Sequence, residues 1–292
     1  MASDLLLYGG FILLFLVLWG AIYVLLPLVR HGHAFLAPAL ARATVRWAGI
    51  GRYSDRFKTY APIALIVVAG AVLTAFAGDG FLDLAELVHS QSDVLQKADA
   101  HAHLWAVQHR TSGATSFFVV MSNVGGPFGA AVIALTVAII LLIRKRYRWV
   151  LYLAVTVGGG SLLNLELKRY FARARPDVAE MLRRAHGYSF PSGHAMGSTV
   201  VFGALSYLAF RTALHWKWKT AAPALAVTLI ISVALSRVYL GAHWISDVAA
   251  GIACGTMWVA ITTMAYETVR RIRRLRAQRP ENLSSTRVAR GE

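Results

Sequence analysis

The stretch FPSGHAMGSTVVFGALSYLAF, Phe190 to Phe210, decides how the chain is to be read. From Ala195 on it is an apolar segment able to enter a membrane. Yet a proline, a serine, a glycine and a histidine stand at its threshold. Alone, Pro191 and Ser192 would serve as ordinary helix-start residues, and Gly193 as a bend. A histidine at the mouth of a span asks for more, and the rest of the chain supplies it.

The 292 residues are 57% hydrophobic and only 15% charged, with a mean hydropathy of +0.54. A soluble domain carries roughly 25% charged residues. Several apolar stretches approach the ~20 residues that a helix needs to cross a bilayer. The composition therefore predicts an all-α, polytopic membrane bundle. Seven spans are expected: Leu5–Leu28, Ala61–Gly78, Pro127–Ile143, Trp149–Leu167, Ala195–Phe210, Ala221–Leu235 (extending towards Tyr239) and Ile245–Tyr266. The first lacks a basic leader and a small-residue cleavage site, so it reads as an anchor. The single cysteine, Cys254, lies inside an apolar segment and offers neither a disulfide framework nor a thiolate metal site.

A net charge of +16 would suggest nucleic acid in a soluble protein, but here the charge is sorted by connection. Stretches 29–60, 144–148, 211–220 and 267–292 hold 6, 4, 3 and 8 Lys and Arg, 21 of the chain's 30. The positive-inside rule makes that side cytoplasmic, with the N-terminus outside and the tail inside. Six of the nine others fall between Lys168 and Arg184, where the rule disfavours them. An anionic ligand is the simplest reason. The segment Gly78–Arg110 reads as one or two external amphipathic helices. Its His101, His103 and His109 read as solvated or interfacial rather than as metal ligands, because no carboxylate or cysteine completes a set. The tail RRIRRLRAQR, Arg270–Arg279, suits anionic inner-leaflet headgroups, and the residues from Pro280 on read as disordered.

Three segments on the external side carry candidate chemistry. In KRYFARARP, Lys168 ends a span, and Pro176 biases Arg175 out of helical geometry into a loop. In PSGH, the amides of Ser192 and Gly193 would lie free at a helix start, and His194 can carry a proton near neutral pH. In SRVYLGAHWISD, His243 and Asp247 are four residues apart, hence on one face if helical, so that an Asp can orient an imidazole; Arg237 adds a fork for phosphate oxygens. Each segment alone has a plain structural reading. Together they bring fixed cations, backbone donors, two histidines and one carboxylate to one face, equipment for displacement at phosphorus without a metal ion.

These motifs resemble those of the type-2 phosphatidic acid phosphatase superfamily, membrane enzymes with a vanadium-haloperoxidase-like core. Its signatures K-x6-RP, PSGH and SR-x5-H-x3-D match at Lys168 to Arg175-Pro176, Pro191 to His194, and Ser236-Arg237 to His243 to Asp247. The resemblance implies His243 as nucleophile through a phosphohistidine, Asp247 orienting it, and His194 protonating the leaving oxygen and then activating water. It implies Lys168, Arg175, Ser192, Gly193 and Arg237 as phosphate ligands, and no cofactor or metal. A six-span core over residues 61–266 would follow an N-terminal anchor and basic loop, 1–60, and precede a basic cytoplasmic tail, 267–292. The expected partners are membrane lipids and a lipid phosphate: phosphatidate, phosphatidylglycerol phosphate, undecaprenyl diphosphate or a lipid A phosphate. The expected place is a bacterial inner membrane with the site facing the periplasm. Lipid-to-lipid phosphotransfer, haloperoxidase chemistry and, from another class, an anion transporter are the rival readings, and the sequence leaves the oligomeric state open.

Overall fold

A computed structural model describes residues 4, 6–25, 51–176, 181–183, 185–212 and 215–290, with side chains described outside 51–62 and 278–290. The described residues form helices and connecting turns: α1 (Leu6–Leu25), α2 (Gly51–His89), α3 (Asp93–Gln108), α4 (Ser112–Val124), α5 (Pro127–Ile143), α6 (Tyr147–Phe171), α7 (Gly193–Thr212), α8 (Trp216–Tyr239) and α9 (Ile245–Arg290). Of the basic loop expected over 29–60, residues up to 50 lie outside the described residues, as do Asp177–Glu180 and Arg184.

Five of these helices are long and apolar enough to span a bilayer, and a sixth span arises if α4 and α5 count as one path bent by 50°. The remaining expected span, α7, is not apolar enough over its length to join them, and about half of it is covered by protein. Ala195, Met196, Val200, Val201 and Ala204 on it are buried, packed by α6, α8 and α9. Gly251 and Gly255 of α9 permit that packing: a Cβ at Gly251 would stand 2.8 Å from the Ser192 carbonyl oxygen, and one at Gly255 3.0 Å from that of Met196. This is the small-residue spacing by which helices approach closely in membranes.

Three expectations change. The second span does not end at Gly78; α2 continues to His89. Glycine's poor helix propensity is overridden because Ala77, Phe81 and Ala85 form a buried stripe, and Phe81 and Ala85 pack into the core with Phe190 and Met196. The segment before Pro127 is not a plain connection: α4 packs on α8 and is capped by Thr111, whose side chain accepts from the Ala114 amide at 3.2 Å. At 13 residues it is too short to be recognised as a span by length. Finally, α9 runs to Arg290, through Pro280 and the disorder expected there, since extending an existing helix needs no new nucleus.

Helix α1 lies against α4 and α8. Phe11 meets Phe117 and Phe118, Tyr8 Oη donates to the Gly113 carbonyl at 3.1 Å, and Trp19 Nε1 donates to Thr220 Oγ1 at 3.1 Å. At one end of the bundle α6 and α8 finish while α7 and α9 begin, and the candidate site occupies that end.

Candidate active site

The three motifs converge through backbone bonds. The Ser189 amide donates to the Arg173 carbonyl at 2.8 Å, and the Ser192 amide to the Asp247 carbonyl at 2.9 Å. Phe190, fully buried, anchors this junction by packing against Phe81 and Phe171, with ring centroids 6.0 and 4.8 Å away. Between α8 and α9 the chain turns at Gly241, whose φ of 73° favours glycine, and His243 follows two residues later.

His243 is 2% exposed. Its Nε2 lies 3.0 Å from Arg175 Nη1 and borders the cavity. Its Nδ1 faces inward, 3.5 Å from Asp247 Oδ2 and 3.3 Å from Ser189 Oγ. Ser189 Oγ donates to Asp247 Oδ2, so with the proton on Nδ1 the hydroxyl accepts from the ring and relays the hold of the carboxylate. The Trp244 amide also donates to Asp247 Oδ2, at 3.0 Å. Burial pushes the His243 pKa down to about 4; Asp247 pulls the other way, while Arg175 and Arg237 reinforce the fall. The ring is therefore neutral at pH 7, with the Nε2 lone pair towards the cavity.

Asp247 is held from behind. Arg173 Nη1 donates to Asp247 Oδ1 and to Ser246 Oγ, both at 2.7 Å, and Arg173 Nη2 donates to Asp99 Oδ2 at 2.7 Å. Asp99, from α3, also receives the Ser246 amide at 3.0 Å and the Ser246 hydroxyl at 2.6 Å at the start of α9, where a carboxylate suits the helix dipole. The guanidinium of Arg173 stands 5.9 Å from the centroid of the Trp244 ring. Residues Asp99, Arg173, Ser189 and Ser246 were not singled out from the sequence. Asp99 is remote in the chain, and Arg173 hides among neighbouring arginines. His103, expected to be solvated or interfacial, is 6% exposed and packs against Trp244, because α3 folds back onto the site instead of lying free.

The cations converge on one cavity of about 820 Å³. Lys168 Nζ donates to the Tyr188 carbonyl at 2.6 Å. Arg175 is fixed by the carbonyls of Gly187 (2.8 Å), Ala242 (2.7 Å) and His186 (3.0 Å). Arg237, 4% exposed, donates from Nη1 to Ser122 Oγ at 2.5 Å, and its Nε has no hydrogen-bond partner among the described residues. Gly193 and His194 line the same cavity, with His194 Nε2 3.1 Å from where a Cβ on Gly126 would stand. Ser192 does not line it: the residue is fully buried, and its amide is engaged by Asp247 rather than free. The α4–α5 corner adds Ser122 to Arg237 and Asn123 to Arg183. The sequence signal for that corner was the run Gly125-Gly126-Pro127 inside an otherwise apolar region. No carboxylate lines the cavity among the described residues, and its wall continues between α5, α6 and α7 over Phe128, Ala131, Val157, Leu165 and Val200.

A helical membrane protein whose ring of fixed cations surrounds two histidines at the mouth of an apolar groove is built for a compact oxyanion. The comparisons give that class its family. Residues 149–271 match the PAP2 superfamily. The chain is 30% identical over 195 residues to phosphatidylglycerophosphatase B of Bacillus subtilis (strain 168), covering 66% of this chain and 94% of that protein. It is 29% identical over 155 residues to an undecaprenyl-diphosphatase of Sulfolobus acidocaldarius, covering 51% and 70%, and 35% identical over 124 residues to a lipid A 1-phosphatase of Rhizobium etli, covering 39% and 49%. The crystal structure of a transmembrane PAP2 type phosphatidylglycerolphosphate phosphatase from Bacillus subtilis superposes with a TM-score of 0.59 at 28% identity, covering 66% of this chain and 94% of that one. The chain belongs to the PAP2 superfamily. It is an integral membrane phosphatase.

Proposed function

We propose that the protein hydrolyses a lipid phosphate, a phosphomonoester or diphosphate headgroup, through a phosphohistidine on His243 at the external face of a bacterial inner membrane. Residues 61–266 form the catalytic core in this reading, 1–60 the anchor and basic loop, and 267–292 the cytoplasmic tail. The observation that carries the proposal is the cavity wall itself: Lys168, Arg175, Arg183 and Arg237 with His194 and His243, no carboxylate among them, opening into an apolar groove. Cations fix the headgroup while the groove takes the chain.

In the first step the His243 Nε2 lone pair attacks phosphorus and the bond from phosphorus to the lipid oxygen breaks. Burial, with Arg237, His243, Arg175 and Lys168 nearby, lowers the His194 pKa to about 2 before a headgroup binds. In this reading the ring takes up its proton with the anionic headgroup, whose charge offsets those cations, and gives it to the lipid oxygen. In the second step neutral His194 takes a proton from water, the water oxygen attacks phosphorus, and the bond to Nε2 breaks, releasing inorganic phosphate. Asp247, through direct contact and through Ser189, keeps the proton on Nδ1 so that Nε2 stays nucleophilic. Lys168, Arg175, Arg237 and the Gly193 amide, which has no carbonyl a turn before it in α7, hold the phosphate oxygens. Ser192 supports the cradle from behind. Fixed cations take the role that a metal ion has elsewhere. A transporter reading would want ionisable groups deep in several spans, whereas these gather at helix ends.

The test is phosphate release by the purified protein from phosphatidate, phosphatidylglycerol phosphate, undecaprenyl diphosphate and a lipid A phosphate, in excess EDTA. Release should persist and be inhibited competitively by vanadate; complete loss restored by Mg²⁺ contradicts the mechanism. Transfer to a second lipid without free phosphate would mark a phosphotransferase. The external placement is checked with thiol labels, since Cys254 is buried. A cysteine at Ala185 should label from outside and one at Arg273 only from inside, and the reverse pattern would invert the topology.

A further inference from the structure

At the opposite end of the bundle lies a second cavity, of about 1030 Å³, that the phosphatase chemistry does not use. Its floor is apolar, from Val137, Ile140 and Leu141 of α5 and Leu205 and Leu208 of α7. Ile140 is 46% exposed, so this floor opens sideways to the bilayer. Its rim is cationic. Arg144, Lys145, Arg146, Arg148 and Arg274 all line it, and none has a carboxylate partner among the described residues.

Two further arginines on the rim, Arg211 and Arg270, are held by Glu267. This carboxylate, 5% exposed, accepts from Arg270 at 2.6 Å, meets Arg211 at 3.2 Å and receives the Tyr207 hydroxyl. One acid therefore positions two cations and leaves the five others in excess. The α5–α6 corner is shaped for the same end. Lys145 has φ 55°, a left-handed conformation that favours glycine, with its amide on the Leu142 carbonyl at 2.8 Å. A lysine there, in a conformation that disfavours any side chain, keeps three cations in succession, 144–146. No histidine or cysteine lines the cavity among the described residues, so a phosphate bound in it meets no imidazole of the kind that the active site presents.

We propose that this cavity binds one anionic phospholipid of the leaflet facing that end, headgroup phosphate on the 144–148 corner and Arg274, acyl chains along α5 and α7. The apolar floor, continuous with the bilayer, favours a lipid over a free anion. The excess of unpaired cations favours a lipid without a positive headgroup. The inference does not depend on the roles of His194 or His243.

The experiment uses the full chain, purified in a neutral detergent, with phosphatidylglycerol, phosphatidylcholine or inorganic phosphate added. Retained lipid is counted by native mass spectrometry. Phosphatidylglycerol should be retained over phosphatidylcholine and survive millimolar phosphate. R148Q/R274Q removes two rim charges, and R273Q/R276Q removes two from the same helix region, exposed and outside the cavity. At about fivefold per cation, the first pair should weaken phosphatidylglycerol roughly 25-fold and the second little. Both should cleave nitrophenyl phosphate like the parent, which reports folding; K145Q/R146Q serves if R148Q/R274Q does not fold. Equal weakening by the two pairs would reduce the site to diffuse surface charge. Equal retention of the two lipids, or displacement by phosphate, would overturn the lipid assignment.

Discussion

At the site end, Arg173 and Arg237 are 16% and 4% exposed, and their guanidinium groups are tied to Asp99, Asp247 and Ser122. At the other end, Arg144, Lys145, Arg146 and Arg148 are exposed and face no carboxylate among the described residues. Both ends are basic, but the physical use of charge differs. Buried cations fixed by several bonds hold an anion at a defined point, and little reorganisation is needed when charge develops during reaction. Exposed cations are screened by salt within about 10 Å at 0.1 M, so they hold an anion in place only where a cavity gathers them. Charge count alone would not separate a catalytic cradle from a membrane-facing rim. Burial and partners do.

The sharpest break in that comparison is His243→Ala, which should lower turnover by about 10⁴-fold or more on every substrate and abolish covalent phosphate capture. His194→Ala separates the two histidines. A lipid alkoxide needs a proton to leave and a nitrophenolate does not, so the variant should lose about 10²-fold more on the lipid than on nitrophenyl phosphate. Phosphohistidine should then accumulate on the activated ester. Residual activated-ester turnover in His243→Ala, with none in His194→Ala, would mean that the roles are reversed.

Next comes the hidden scaffold. Arg173→Gln leaves Asp99 and Asp247 without their shared cation, so it should destabilise the protein by about 3–5 kcal/mol. It should also lower kcat by ~10²-fold through a misplaced His243, with KM little changed. A thermal unfolding scan together with kinetics reads both. Loss of stability without loss of kcat would make the network purely structural.

The pH dependence tests burial. Because the His243 pKa is lowered to about 4, its neutral form, the one the proposed attack requires, persists as pH falls and is lost only on passing about pH 4. On nitrophenyl phosphate, whose leaving group needs no proton from His194, the acid limb of kcat/KM for the free enzyme should have its midpoint there. A midpoint near the ordinary 6.5 would mean a solvated ring. The smallest effect belongs to the exposed end: R273Q/R276Q should change unfolding free energy by less than about 0.5 kcal/mol, measured by denaturant titration.

Much of this was legible in the chain. Hydropathy marked the membrane class, and the three motifs marked Lys168, Arg175, Gly193, His194, Arg237 and His243, all of which reach one cavity. Legibility failed where contacts are remote. Asp99 lies in a polar helix that reads as surface, and only packing of α3 on α9 brings it to Ser246 and Arg173. Ser189 sits one residue ahead of Phe190, and its hydroxyl gains meaning only where α9 delivers Asp247. Ser192 looked like a ligand because helix starts leave amides free, yet α9 supplies a carbonyl for it.

What the sequence by itself determined is local or compositional: apolar length needed to cross a bilayer, sorting of Lys and Arg between connections, and residue types at fixed spacing along one chain. These follow from backbone periodicity and from transfer energies, which act residue by residue. The tertiary structure decided which groups point into the cavity and which stand behind it. It also decided that α2 runs past Gly78, and that α4 bends into α5 beside Arg237. Those outcomes depend on which helix supplies the partner for each buried polar group, a pairing between segments far apart in sequence and settled only when the bundle packs.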